Sequence, residues 1–209
     1  MKPYFLLFII FICTIQIKAI PIFSKDTIAY DSTNTRKSKT VTTPFSYIGF
    51  TTGLNNPGGV IGFDFEIPVG KYVCINTGLG FSTWGNKLHA ECKYYLKANQ
   101  IGWAFGTGIA LNSGVDNYQA KMETINGNQD IILDFHPVQS AFFCAYRHWN
   151  LGRKNSRFLC FFGGDVPIKH PVFRELSGDP LSSKSTDIIK RRAPGGFIVG
   201  LGFSFGLHH

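Results

Sequence analysis

The sequence predicts an all-β protein: an eight-stranded antiparallel up-and-down transmembrane β-barrel preceded by a cleavable signal peptide. Three observations carry that expectation. Phe numbers 20 and Gly 23, while Met numbers only 2 and charged residues make up 16% of the chain, against about 25% in an average soluble domain. That balance favours strands over helices. Eight segments of about ten residues alternate large apolar side chains with small or polar ones, which is the period of a strand with two different faces. The connections between these segments are short on one side and include two long ones on the other.

Taken in order, residues 1–19 read as the signal peptide. Lys2 is followed by an apolar run from Tyr4 to Ile17 and by Ala19 as the small residue at the cleavage position. The run is short for a membrane-spanning helix, which needs about 20 residues. Cys13 lacks the small residues that precede a lipoprotein cysteine. Cleavage removes Lys2 and Lys18 and takes the net charge from +8 to +6. Residues 20–44, rich in Ser, Thr and Lys and closed by Pro44, read as a solvated tail. The barrel domain is residues 45–209.

The strands are "FSYIGFTTGL" (45–54), "VIGFDFEIPV" (60–69), "KYVCINTGLGF" (71–81), "KLHAECKYYLK" (87–97), "QIGWAFGTGIAL" (100–111), "VQSAFFCAYRHW" (138–149), "RFLCFFGGDV" (157–166) and the closing strand 196–207. Turn signals such as "NNPGG", "STWGN" and "NLGRKNS" separate them. The connections near residues 70, 98 and 152 are short. The polar stretches 112–137 and 167–194 are long and fall on the opposite side, the asymmetry of outer-membrane barrels, whose inner turns are short and outer loops long. A tilted strand crosses the hydrocarbon in roughly 9 to 11 residues, so these lengths suffice.

Alternation alone does not say which face points inward. A lipocalin-like soluble barrel would turn Phe and Leu in and polar groups out. The small faces decide: Ile101, Trp103, Phe105, Ile109 and Leu111 alternate with Gly102, Ala104, Gly106, Gly108 and Ala110, and the closing strand repeats the pattern. Glycine on a water-facing row weakens a strand for no return. Glycine pointing into a narrow eight-stranded interior makes room for larger side chains from other strands. The same parity turns Asp64, Glu66, His89, Glu91 and Lys93 inward, with Arg147, Arg157 and Asp165 expected to join them. Both signs of charge in one small lumen are expected to pair, since an unpaired buried charge is costly.

In strand pattern, loop asymmetry and signal peptide, residues 45–209 resemble the small eight-stranded outer-membrane β-barrel proteins, the class that includes OmpA-type transmembrane domains. The resemblance implies a bacterial outer-membrane location, insertion by the barrel-assembly machinery, and contact with membrane lipid. The ending "LHH" departs from the aromatic residue on which such barrels often finish, Phe205 being the nearest.

Candidate chemistry is sparse. Cys74, Cys92, Cys144 and Cys160 lack a C-x-x-C pair, so zinc is not supported. Cys92, Cys144 and Cys160 fall on the lipid-facing parity, where Cys acts as a small apolar residue. "RHWN" (147–150) shares only its His with the His-x-Ser arrangement of lipid A deacylases, and an Asn150 amide is no nucleophile. Tyr146, His148 and Trp149 instead suit an interfacial girdle. Lys190, Arg191 and Arg192 could contact phosphate groups of lipopolysaccharide. "GLG" (78–80) and "GTG" (106–108) lack the strand-to-helix setting of a phosphate loop. The expectation is a non-enzymatic, monomeric outer-membrane barrel with a filled lumen, without cofactor, metal or nucleic-acid partner, and with surface interactions carried by its outer loops. A small pore, a lipid-modifying enzyme on the same wall, and a secreted lipocalin-like binder are the alternatives.

Overall fold

Each alternating segment forms a strand. The computed structural model describes residues 45–152, 156–169 and 172–207. The expected signal peptide, the polar tail and the terminal His208 and His209 lie outside the described residues. The elements are β1 (Ser46–Leu54), β2 (Ile61–Pro68), β3 (Val73–Ser82), β4 (Gly85–Tyr95), β5 (Gly102–Asn112), β6 (Val115–Thr124), β7 (Gly127–Phe135), β8 (Val138–Asn150), β9 (Ser156–Pro167), β10 (Phe173–Ser177), α1 (Ser183–Arg192) and β11 (Gly196–Leu207).

Eight of these strands, the eight expected from the sequence, close an antiparallel barrel in the order β1-β2-β3-β4-β5-β8-β9-β11, with β11 pairing back onto β1. Closure leaves no free edge among them, so every strand has a neighbour on both sides. The connections β2–β3, β4–β5 and β8–β9 lie at one end with the start of β1 and the end of β11. The other four lie at the opposite end, including both long ones.

The outer wall is apolar. Phe50, Phe63, Leu79, Phe105, Ile109, Phe143, Phe162, Val199, Leu201 and Phe203 are all exposed. Of the outward-facing residues in the eight barrel strands, only Arg147 carries a charge. The inner wall carries Glu66, Lys87, His89, Glu91, Lys93, Arg157 and Asp165, all buried. Among the described residues no helix is long and apolar enough to cross a membrane.

The two long connections are not irregular. The first folds into the β6–β7 hairpin and the second supplies β10 and α1; β10, β7 and β6 form a three-stranded sheet in that order. Ile131, Leu133 and Phe135 on β7 alternate with Asp130, Ile132 and Asp134, so one face is apolar. That face packs with Leu181 and Ile189 onto Trp84 in the β3–β4 turn, forming a second core on one end of the barrel. Trp84 Nε1 donates to the carbonyl of His136 at 2.9 Å.

Helix α1 starts at Ser182, whose Oγ accepts from the Ser185 amide at 3.2 Å, and ends on Lys190, Arg191 and Arg192. Cations there oppose the partial negative charge of a helix C-terminus. The two connections also attract each other: the first is rich in acid and the second in base, Arg174 stands opposite Asp134, and Lys184 lies 3.7 Å from Glu123.

Candidate functional site

Most of the buried charges of the lumen form one network around Glu66. Alternation places Glu66 on the inner face of β2, and its neighbours in the barrel bring cations to it from both directions. Lys93 on β4 donates at 3.0 Å and Arg157 on β9 at 3.1 Å. The Tyr95 hydroxyl donates to both carboxylate oxygens at 2.8 Å.

Arg157 is held on every side. Its Nε donates to Ser204 Oγ at 3.0 Å, its NH1 to Tyr95 Oη at 3.0 Å and to the Gln100 carbonyl at 3.2 Å. The guanidinium lies 3.3 Å from the centroid of the Tyr47 ring. Lys93 Nζ sits 4.3 Å from the Tyr146 ring centroid and 3.9 Å from Glu91. Glu91 Oε2 accepts from Asn76 at 3.2 Å. His89 Nε2 then lies 3.3 Å from Asp64, whose other oxygen accepts from Thr51 at 2.7 Å.

Nearer the capped end, Lys87 and Asp165 form a separate buried pair at 3.6 Å. The lumen therefore holds four carboxylates and three cations, with His89 and His148 among them. The cavity between Asp64, Glu66, Asn76, His89 and Lys93 has a volume of about 30 Å³, room for a water molecule or two. At the turn end the Gln100 side chain folds inward, accepting from the Phe45 amide at 2.9 Å and donating to Cys74 Sγ at 3.0 Å. Gln100 adopts φ 56°, and nothing in the local sequence pattern marks it as a lumen residue.

Of the eight charged residues expected in the lumen, seven are there: Asp64, Glu66, His89, Glu91, Lys93, Arg157 and Asp165. Arg147 is not. It lies on the outer wall, 5.6 Å from the Trp103 ring centroid and 5.7 Å from that of Trp149. The register explains it. Residues directly opposite each other share a face, and the inward Gly102, Ala104, Gly106 and Gly108 of β5 pair with His148, Tyr146, Cys144 and Phe142 of β8.

The even-numbered residues of β8 therefore fill the space that β5 leaves empty. Tyr146 and His148, expected in an interfacial girdle, are buried inside, and Cys144 faces the lumen instead of the outer wall. Trp149 is exposed. His148 Nε2 lies 3.4 Å from Tyr95 Oη. On β9, Leu159 and Phe161 share the inner face with Arg157 and Asp165.

The glycines make room for more than charges. A methyl at Gly106 would overlap Glu91, and one at Gly78 would meet the Phe63 carbonyl as well as His89 and Asp64. At Gly200 in the closing strand, however, the close neighbours are the Phe161 ring and the Thr52 carbonyl.

All four described cysteines are free. Among the described residues no group of three His, Cys, Asp or Glu side chains could hold a metal ion. Lys190, Arg191 and Arg192 are exposed on the last turn of α1, where the Arg192 carbonyl accepts from Thr83 at 3.0 Å. Neither any protein-family model nor any curated protein sequence matches the chain.

Proposed function

We propose that this chain is an integral barrel of the bacterial outer membrane, non-enzymatic, in which a filled barrel anchors and the folded cap on its outer end makes the contacts. One observation carries the reading: polarity is inverted, with an apolar outer wall and the ionised side chains inside. In water a wall of so many exposed large apolar side chains is an aggregation liability; in hydrocarbon it is what stability requires.

Two details agree with it. The outward hydroxyls of Thr52, Thr77 and Thr107 each donate to a backbone carbonyl of a neighbouring segment, at 2.6, 2.9 and 3.0 Å, so none needs water. At the turn end, Trp103 and Trp149 are exposed beside Arg147, and Tyr94 is exposed on β4, the composition of a membrane–water interface.

The packed lumen and its 30 Å³ cavity favour anchoring over conduction. His148 inside the wall has no access to membrane lipid, which disfavours a lipid-modifying enzyme. In this reading the barrel-assembly machinery inserts the chain as a monomer, and Lys190, Arg191 and Arg192 on the cap face lipopolysaccharide phosphates. The test is fractionation with gel migration before and after heating. Recovery with the outer membrane and a heat-dependent band shift are expected; recovery in the periplasm or medium without detergent refutes the reading.

A further inference from the structure

Arg147 stands alone as a charge on the outer wall, and its surroundings give it a role. Its guanidinium lies against Trp103 and Trp149, with ring centroids at 5.6 and 5.7 Å. Its NH1 comes within 3.6 Å of the point where Gly102 would carry a Cβ, and the Cδ and Cε of Lys97 come within 3.7 and 4.0 Å of the same point. The aliphatic stem of Lys97, from the β4–β5 turn, thus runs near the Arg147 guanidinium at Gly102, whose φ of 101° breaks the regular strand there. Among the described residues neither makes an ion pair.

A guanidinium on an apolar wall, with a second cationic side chain nearby and no carboxylate paired to either, calls for an anion from outside the chain. The wider rim has the same sign. Among the described residues, the turns at this end carry Lys71 and Lys97 and no Asp or Glu, while every acidic residue of the barrel strands points into the lumen. The cap end differs: its acidic and basic connections offset each other.

We propose that Arg147 and Lys97, walled by Trp103 and Trp149, form a binding site for the phosphodiester headgroup of an anionic membrane lipid at the turn end of the barrel. The inference rests on the membrane reading above. Chemistry favours this ligand: a guanidinium presents paired N–H donors that match phosphate oxygens, the Trp rings sit at headgroup depth, and the charge of the rim complements an anionic leaflet. The position also resolves how an outward Arg is tolerated, since at the rim headgroup oxygens replace the water it gives up.

The test uses the folded full chain in detergent micelles, titrated separately with dioleoylphosphatidylglycerol, dioleoylphosphatidylcholine and inorganic phosphate, with bound adducts counted by native mass spectrometry. Phosphatidylglycerol should be retained in preference to phosphatidylcholine, and inorganic phosphate at equal concentration should not displace it. Arg147→Gln and Lys97→Gln should each lower that retention roughly fivefold, the effect expected of one interfacial cation. Lys71→Gln, elsewhere on the same rim, should not. Equal retention of the two lipids, retention unchanged in both variants, or displacement by inorganic phosphate would overturn the proposal. Heat-dependent migration checks that each variant is folded; should Arg147→Gln fail that check, Lys97→Gln, whose side chain belongs to a turn, decides the outcome. A chain recovered in water without detergent would instead sink the membrane reading itself.

Discussion

Replacing Glu66 with Gln tests whether the lumen is a dry, closed network. The two side chains have nearly the same shape, so no cavity opens; the charge goes, and one accepting oxygen becomes an amide donor set against Lys93 or Arg157. What remains is Lys93 and Arg157, whose contacts to Glu66 at 3.0 and 3.1 Å are their shortest to any carboxylate. Both are buried, Arg157 to 1% exposure. The next carboxylate is Glu91, at 3.9 Å from Lys93, and Arg157 keeps only the neutral acceptors Ser204, Tyr95 and Gln100. Removing one member of a buried ion pair costs about 3–5 kcal/mol. We expect the upper half of that range, because one carboxylate serves two cations. The assay is equilibrium unfolding of the refolded full chain in detergent micelles, followed by tryptophan fluorescence. The double variant Glu66→Gln with Arg157→Met should recover at least half the loss, since it leaves one buried cation instead of two. A Glu66→Gln loss below about 1 kcal/mol, the worth of a solvated pair, or strictly additive effects in the double variant, would refute the closed network and favour a wet, conducting lumen.

Four further outcomes follow. Ile109 is 63% exposed on the outer wall, so Ile109→Arg should change stability by no more than about 0.5 kcal/mol if that wall faces water and cost about 2 kcal/mol in a lipid bilayer; comparing unfolding in vesicles of wild type and variant decides. Gly106→Ala places a methyl on the Glu91 carboxylate and should destabilise by about 1–3 kcal/mol, whereas Thr107→Val, one residue on and facing out, should cost about 1 kcal/mol or less, both read as unfolding midpoints. Trp84→Ala removes the floor of the cap core; we expect protease cleavage within 113–137 and 168–195 while the barrel strands stay protected. Asp179 Oδ2 accepts from Asn126 at 2.9 Å and Gln129 at 2.8 Å, and these bonds hold its carboxyl below the ordinary aspartate value of 3.8. Its contribution to the cap is therefore complete above that value and fades as pH falls through the lower, folded one; an NMR titration should give a midpoint below that of free aspartate.

The barrel was legible because each of its strands keeps a two-residue period with one unmistakable face, and where that face held charge or glycine the inner wall could be named: Asp64, Glu66, His89, Glu91 and Lys93 followed from parity alone. β8 misled because both of its faces hold large groups, and Arg147 looked like a lumen charge by chemical type. The pairing of β8 with the row of small residues on β5 supplies the correction, since Gly102, Ala104, Gly106 and Gly108 stand opposite His148, Tyr146, Cys144 and Phe142 and share their face. The cap was half legible. Asn126-Gly127 is a hairpin signal, and Gly127 does take φ 113°; Ile131, Leu133 and Phe135 alternate as a strand should. What no local pattern reveals is that β7 pairs with β10 from the other long connection, or that Trp84, set in a tight turn, roofs the barrel and floors the cap at once.

The glycines of β11 make the same point about volume. By composition, a glycine row opposite a lumen of charges reads as space left for those charges. At Gly106 that is so and at Gly78 in part, beside the Phe63 carbonyl, but at Gly200 the space belongs to Phe161 and the Thr52 carbonyl, and at Gly202 to the Phe50 carbonyl and Thr51. The inner wall is therefore apportioned locally: acid and base cluster where β2, β4 and β9 face each other across Glu66, and an apolar cluster with Phe142, Tyr146, Leu159, Phe161 and Ile198 fills much of the remainder. Had the glycines served charge alone, Gly200→Ala would be harmless. The geometry predicts instead a cost like that of Gly106→Ala, because the backbone carbonyl it would meet cannot turn away as a side chain can.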